Sequence, residues 1–565
     1  MKKSKTKSAS PQVPGSSASV GAGSNSTPGP ETQCQVDPAV QVCRYLLEMF
    51  SVPLLRSHAT VGLVDRGRLQ LYHANHSVIL VSSAIDFLQG EGVDMFIANI
   101  IAFRCLSLKQ NGVLDALVPG NTGLVKNSNI PPENKVVQEG NHLNFPGNGS
   151  QAQFSVTLGG VISRDPAAIG RSTTVLDATS DRWPNTELVV KISWPGSCRV
   201  PETDFLKKAN EEAEKSGGGW ATKHLPQVFY AKDVVFDEGS TLELVARLFE
   251  SAELVNGKHV YERRTLRIIV QERLYPLKSL GNVSDIGQVF LDVACSTCLS
   301  LAPRLTSTYS SSVHRWLYDH PGILHRDLSL NNIMCRFIKE MNAEGELEQK
   351  VYGVLTDYDL SSWKKDLETD YTRTSQQRTG TPPYMALELL RGTNAAHLYR
   401  HDVESLFYIM LMMGGRHTIN CTGGGTDRGA GQGVVMRVGD RPYEDWFNAQ
   451  SYAILGSLKG TFFLEMPDIE LSKPFEDFRP WLWNLQVKFS EGFSLRSIYM
   501  RRKRVQQVSG NSAGTVTTFD DETLGGCVDY SSIIEPTSQL TGELKGLIIR
   551  YDPTSPPPPT ARSAV

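Results

Sequence analysis

With 565 residues, 21% of them charged and 40% hydrophobic, the chain is long enough for roughly two to four globular domains with a sizeable core. A net charge of −3 excludes a global attraction to nucleic acid or to an anionic membrane, and neither is expected as a partner. Nine irregularly spaced cysteines make no disulfide framework, which points to a reducing, intracellular setting, cytoplasmic or nuclear.

In chain order, residues 1–35 are rich in Ser, Gly and Pro and read as a disordered tail. Lys2, Lys3, Lys5 and Lys7 have no apolar core behind them, so no secretory signal is expected. No run approaches the roughly 18 apolar residues of a membrane span. Apolar residues at helical spacing from Pro38 to Phe50, alternating runs between Ala59 and Asp86, and a second helical run from Asp94 predict an accessory α+β region over residues 36–113. His73 and His76 flank a turn there without a Cys or carboxylate cluster beside them, and read as structural. Residues 114–152, rich in Gly, Pro and Asn, read as a linker.

A further set of strands is predicted from about Phe154. Between two of them Gly170–Val175 is the best candidate for a loop that covers phosphates. Ser172 stands where a second glycine would be, and an ordinary turn fits as well. TELVVKISW reads as a strand that carries Lys191. The helix after it offers Glu202, with Pro201 at its start, or Glu211, Glu212 and Glu214. HLPQVFYAKDVVF, TLELVARLF and LRIIVQERLYPL read as strands, the last turning polar at Gln271, Glu272 and Arg273. Cys295 and Cys298 share one face of the next helix and read as core residues. Arg501, Arg502, Lys503 and Arg504 read as surface charge, with a nuclear-localisation signal as the alternative, as for the N-terminal lysines.

Three short runs carry the chemistry. In GILHRDLSLNNIM, the residues His325, Arg326, Asp327, Leu328 and Asn332 fit H-R-D-L-x-x-x-N, a kinase catalytic loop. Asp357 in LTDYDL stands where the DFG aspartate stands, and GTPPYMALE has Ala386, Leu387 and Glu388 in place of A-P-E. Phosphoryl transfer needs positioning and neutralisation of charge on the γ-phosphate. That chemistry gives each residue one expected task. Asp327 is the base, Asn332 and Asp357 hold Mg²⁺, and Lys191, held by Glu202, pairs with the α- and β-phosphates of ATP. Gly170 approaches the phosphates, and backbone around Gln271, Glu272 and Arg273 binds adenine. Arg326 is positioned to receive a phosphate on Thr372, Thr374, Ser375 or Thr379. Glu388 is expected as a structural anchor and Asp402 as a cap on the catalytic loop.

With YERRTLRIIVQERLYPL, HRDLSLNNIM, RTGTPPYMALELL, HDVESLFYIML, PYEDWF and ETLGGCVDY in this order, the chain resembles the fungal-type protein kinase family from about Val36 to Asp552. The resemblance implies an α+β, bilobal kinase fold. Its N-lobe spans 153–275, its C-lobe 276–500, a C-terminal extension that returns to the fold 501–553, and a Pro-rich tail 554–565. It also implies ATP, Mg²⁺ and transfer to Ser/Thr of a protein substrate. Two departures from Ser/Thr kinases in general stand out, both typical of the family: Ser329 replaces a lysine that contacts the γ-phosphate, and Asp359 replaces the DFG glycine. An ATP-binding pseudokinase scaffold and a small-molecule kinase are the alternatives.

Overall fold

The computed structural model describes residues 37–51, 56–107, 110–114, 142–145, 153–215, 219–250, 261–294, 313–342, 345–366, 380–392, 396–420, 433–436, 441–509, 518–529, 532 and 544. The first unit opens with helix α1, Pro38–Ser51, where the Asp37 carboxylate accepts the Ala39 N–H at 2.9 Å. Val42, Leu46 and Phe50 bury one face of α1 against Ala59, Tyr72 and Ala74 of an antiparallel hairpin, β1 (His58–Asp65) and β2 (Arg68–Asn75). Its two-residue turn has φ of 46° at Arg66 and 80° at Gly67, the backbone that matches the twist of the strands. Strands β3 (Ile79–Val81) and β4 (Ile85–Asp86) pair with β2, and helix α2 (Glu91–Cys105) follows.

The histidines here are structural in their contacts. His73 shares a 2.9 Å hydrogen bond with Thr60, and burial pushes its imidazole down to about 4. His76 is held to the Arg56 carbonyl at 3.1 Å, its ring stacked on Trp194 at 4.5 Å.

A six-stranded antiparallel sheet comes next, in the order β5-β6-β7-β8-β10-β9. Along the chain its elements are β5 (His142–Phe145), β6 (Phe154–Asp165), β7 (Thr173–Thr179), β8 (Leu188–Ser193), helix α3 (Glu202–Lys215), β9 (Val228–Val234), helix α4 (Thr241–Glu250) and β10 (Leu266–Glu272). Leu143, Val156, Leu176, Val190 and Ile268 form one apolar face.

Two elements differ from the sequence reading. TLELVARLF is not a strand but helix α4, because Leu242, Val245, Ala246 and Phe249 repeat at helical spacing and Ser240 Oγ caps the Glu243 N–H at 3.3 Å. His142–Phe145, inside the segment read as a linker, pairs with β6 residue for residue as an edge strand. Cys295, Cys298 and the four activation-segment hydroxyls lie outside the described residues.

The remaining chain is mainly helical. Strand β11 (Tyr275–Pro276) leads to helices α5 (Val283–Ala294) and α6 (Val313–Asp319), then to β12 (Ile323–Leu324), β13 (Ile333–Met341), β14 (Leu347–Leu355) and β15 (Ser362–Trp363). Here β13 pairs with β11 and β14, and β12 with β15. Helices α7 (Leu387–Leu390) and α8 (Tyr399–Arg416), the hairpin β16 (His417–Asn420) and β17 (Gly433–Met436), and α9 (Glu444–Asn448), α10 (Tyr452–Glu465) and α11 (Arg479–Ser509) complete it. All of α8 is buried, so it forms the axis around which α5, α6, α10 and α11 share one apolar cluster. Leu524 and Val528 of the late ETLGGCVDY run join that cluster. The fold is α+β, and no described helix is long and apolar enough to cross a membrane.

Helix α5 rests directly on β14 at Gly353. Its N–H donates to the buried Asp292 carboxylate at 2.9 Å, and a Cβ there would meet the Val289 carbonyl at 2.3 Å. Gly353→Ala is therefore expected to lower stability by about 1–3 kcal/mol through overpacking, read as an earlier denaturant midpoint.

Candidate active site

Alternation along β8 sends Val190 and Ile192 into the sheet's apolar cluster and Lys191 out of the opposite face. There Lys191 Nζ donates to both Glu202 oxygens, at 2.9 and 3.0 Å, and to Asp357 Oδ1 at 2.8 Å. Asp359 Oδ2 is 3.2 Å away. Glu202 is the first residue of α3, facing inward, whereas Glu211 and Glu214 point to solvent and Glu212 pairs with Lys208. Of the four candidate glutamates, Glu202 is the one that meets the lysine. Burial alone would lower the Lys191 ammonium, but the Asp357, Asp359 and Glu202 charges outweigh it and hold it well above its usual value. Burial pushes Glu202 up to about 7 against the pull of Lys191. Asp357 resists burial because Lys191 and Arg171 keep it well below the usual carboxylate range.

The catalytic-loop motif lies between β12 and β13, as the flanking apolar runs predict. Its ends are fixed from beneath. Buried Asp402, in the first turn of α8, accepts the Arg326 N–H at 3.1 Å and bonds to His314 and His397 at 3.2 and 2.9 Å. His325 donates from Nε2 to the Thr356 carbonyl at 3.0 Å, which sets its tautomer, since Nδ1 accepts the Asp327 N–H at 3.4 Å. Burial lowers its pKa, so the ring is neutral. Tyr358 packs edge-on against it at 5.1 Å. Arg326 and Asp357 take positive φ, 69° and 64°, a strained backbone of the kind that clusters at functional sites.

Asp327 Oδ1 accepts the Thr381 hydroxyl at 3.0 Å. Burial, then the Asp357 charge, push its pKa up to about 6. Asn332 Nδ2 donates to the Asp327 carbonyl at 2.7 Å, which commits the amide nitrogen and directs the other amide atom, an oxygen, elsewhere. Carboxylate oxygens of Glu202, Asp357 and Asp359 lie within 4.8 Å of one another, and the buried Asp359 Oδ1 has no hydrogen-bond donor among the described residues. Such oxygen donors suit a hard divalent cation.

The structure thus brings Lys191, Glu202, Asp327, Asn332 and Asp357 together. Gly170 lies at the edge of the site, in the turn between β6 and β7. The polar end of β10 is committed within the protein. Glu272 and Arg273 donate their N–H groups to the Gln227 and Glu187 carbonyls at 3.0 and 2.8 Å, Glu272 pairs with Arg336, and Arg273 with Asp177. Arg326 is buried within the loop between β12 and β13. Glu388 meets Arg400, Arg496 and His401.

Two residues escaped the motif reading. Arg171, next to Gly170, faces Asp327, Asp357 and Asp359 at 3.7, 3.8 and 3.9 Å. Asp359 was read only as a lost glycine, yet its carboxylate belongs to the acidic centre. The doubled aspartate of DYD was the available signal for it; Arg171 had none beyond its place in the loop.

No curated protein matches the chain. Residues 4–239 and 311–414, more than half of the sequence, match the family model described as fungal protein kinase. The chain therefore belongs to the fungal protein kinase family, whose kinase chemistry uses ATP, a divalent metal and a protein substrate.

Proposed function

We propose that the protein is a bilobal Ser/Thr kinase that moves the γ-phosphoryl group of ATP to a protein hydroxyl. The observation that carries this reading is the buried bridge from Lys191 to both Glu202 and Asp357, with Arg171 spanning Asp357 and Asp327. Lys191, kept charged by its neighbours, holds the α- and β-phosphates. Asn332 and Asp357 would hold Mg²⁺, which would supply positive charge to neutralise the phosphate oxygens. Thr381 fixes Asp327 Oδ1, so Oδ2 is the atom that takes the proton of the attacking hydroxyl. A pKa of about 6 keeps that carboxylate ionised at neutral pH and basic enough to accept it. With the Glu272 and Arg273 N–H groups engaged, adenine is read by carbonyl oxygens of this segment or by Leu274.

The test is transfer of ³²P from ATP to protein acceptors by the full chain, with and without Mg²⁺, followed by identification of the labelled amino acid. Phosphoserine or phosphothreonine is expected, with a loss of about 100-fold or more in Lys191→Met, the scale of one removed electrostatic contact. ATP-dependent thermal stabilisation without transfer to any acceptor favours the scaffold. Label confined to small alcohols favours the small-molecule kinase.

A further inference from the structure

We infer that Arg171 supplies the positive charge on the transferred phosphoryl group that Ser329 lacks, an assignment that rests on the kinase reading above. Ser329 is buried two residues after the proposed base and offers a hydroxyl where Ser/Thr kinases usually carry a lysine. The only other cation among the described residues that meets these carboxylates, Lys191, is already shared by Glu202, Asp357 and Asp359. Neutralising the phosphoryl oxygens during transfer therefore needs a further group.

Arg171 has the position for that task. Its guanidinium spans the base, Asp327, and the metal-ligand candidate, Asp357, so it lies on the line where base and phosphate must meet. Its three carboxylate contacts are 3.7–3.9 Å, longer than a direct charge-assisted hydrogen bond. It is thus balanced among them and not locked in a bidentate pair, and a guanidinium with five donors in a planar fork matches phosphate oxygens well. A metal held by Asp357 would leave that carboxylate less charge to share with Arg171, and the fork would then be available to phosphate.

The backbone delivers the side chain from a fixed path. Gly170 has φ of 138° and donates its N–H to the His76 carbonyl at 3.0 Å, while the Arg171 carbonyl accepts the Trp194 N–H at 2.6 Å. Ser172 follows with φ of 42°. A loop poor in glycine is held by tertiary hydrogen bonds instead of wrapping the phosphates with its own N–H groups, and it contributes a side chain in their place. In the transfer itself the hydroxyl oxygen bonds to the γ-phosphorus as the bond from phosphorus to the β–γ bridging oxygen breaks. The hydroxyl proton passes to Asp327 Oδ2, ADP leaves, and Arg171 exchanges no proton.

The test compares wild type, Arg171→Ala, Arg171→Lys, Ser329→Lys and the double variant Arg171→Ala/Ser329→Lys, using ATP and ADP titrations alongside steady-state transfer. Removing a charged contact to the γ-phosphate is expected to weaken ATP about tenfold in Arg171→Ala while ADP binding changes less than about threefold. The same variant should lose about 100-fold in kcat, and Ser329→Lys in that background should restore at least about tenfold. Arg171→Lys should fall between, because an ammonium keeps the charge and loses the fork. Equal weakening of ATP and ADP, transfer unchanged in Arg171→Ala, or no rescue by Ser329→Lys overturns the assignment. So does a rise in activity, which would make Arg171 an obstruction. A wild-type chain that transfers while Arg171→Ala transfers equally well sinks this inference alone; a wild type that binds ATP and transfers nothing sinks the kinase reading as well.

Discussion

Asp327→Asn is expected to lower phosphoryl transfer by about 10³-fold while leaving the protein folded and ATP affinity within about threefold of wild type, as fits loss of a general base. The side chain keeps its shape. Its Oδ1 partner, the Thr381 hydroxyl, can donate to an amide oxygen as it does to a carboxylate, and the loop remains fixed by Asp402 at Arg326 and by the Asn332 bond to the residue 327 carbonyl. What disappears is a proton acceptor at Oδ2. Single-turnover transfer and a separate ATP titration distinguish the two quantities. Equal loss of both would mean that Asp327 holds the nucleotide and is not the base.

Glu388→Ala is expected to destabilise the protein by about 3–5 kcal/mol, the range for breaking a buried ion pair and stranding its partners. Glu388 is buried between Arg400 of α8, Arg496 of α11 and His401, and Arg400 also donates to the Asp521 carbonyl. One carboxylate therefore ties the end of the activation segment to two helices and to the late C-terminal run. Although burial opposes the charge, His401 and Arg400 lower the Glu388 pKa from 4.5 to about 2. Because the folded value is depressed, the contribution, on the order of 3 kcal/mol, is fully present above about pH 4.5 and is lost as pH falls through about 2. Denaturant midpoints taken between these limits should fall for wild type and stay flatter for Glu388→Ala. The Glu388→Ala/Arg400→Ala double variant should recover part of the loss, since it leaves one fewer charge unpaired.

The catalytic half was legible because its parts are contiguous. HRDL with Asn332, and Asp357 with its neighbours, each fit within a dozen residues, where spacing is fixed by local geometry. Glu202 was legible through Pro201, a residue suited to a helix start, although three more glutamates on the same helix competed with it. Burial decided among them, and burial depends on tertiary packing. Helix α4 carried its own evidence in the spacing of Leu242, Val245, Ala246 and Phe249, but three of its ten residues are the β-favouring Thr241, Val245 and Phe249. Here period outweighs propensity. Strand β5 is only four residues long and pairs with β6 alone, too short for alternation to stand out among Asn, Gly and Pro. Arg171 was invisible for a different reason. The three carboxylates it faces at the site, Asp327, Asp357 and Asp359, lie far downstream in the chain, and no local pattern encodes a contact of that range.

The hydrogen bond from Gly170 N–H to the His76 carbonyl changes what counts as one working part. The turn that carries Arg171 is suspended from the N-terminal unit, and the His76 ring is pressed on Trp194, directly after the strand that bears Lys191. A displacement of the turn at His76 would thereby reach both the turn that carries Arg171 and the end of the strand that bears Lys191. These two contacts join the N-terminal unit to the six-stranded sheet. On the proposed function, substitutions that loosen the chain around His76 are expected to shift Arg171 and, with it, ATP affinity.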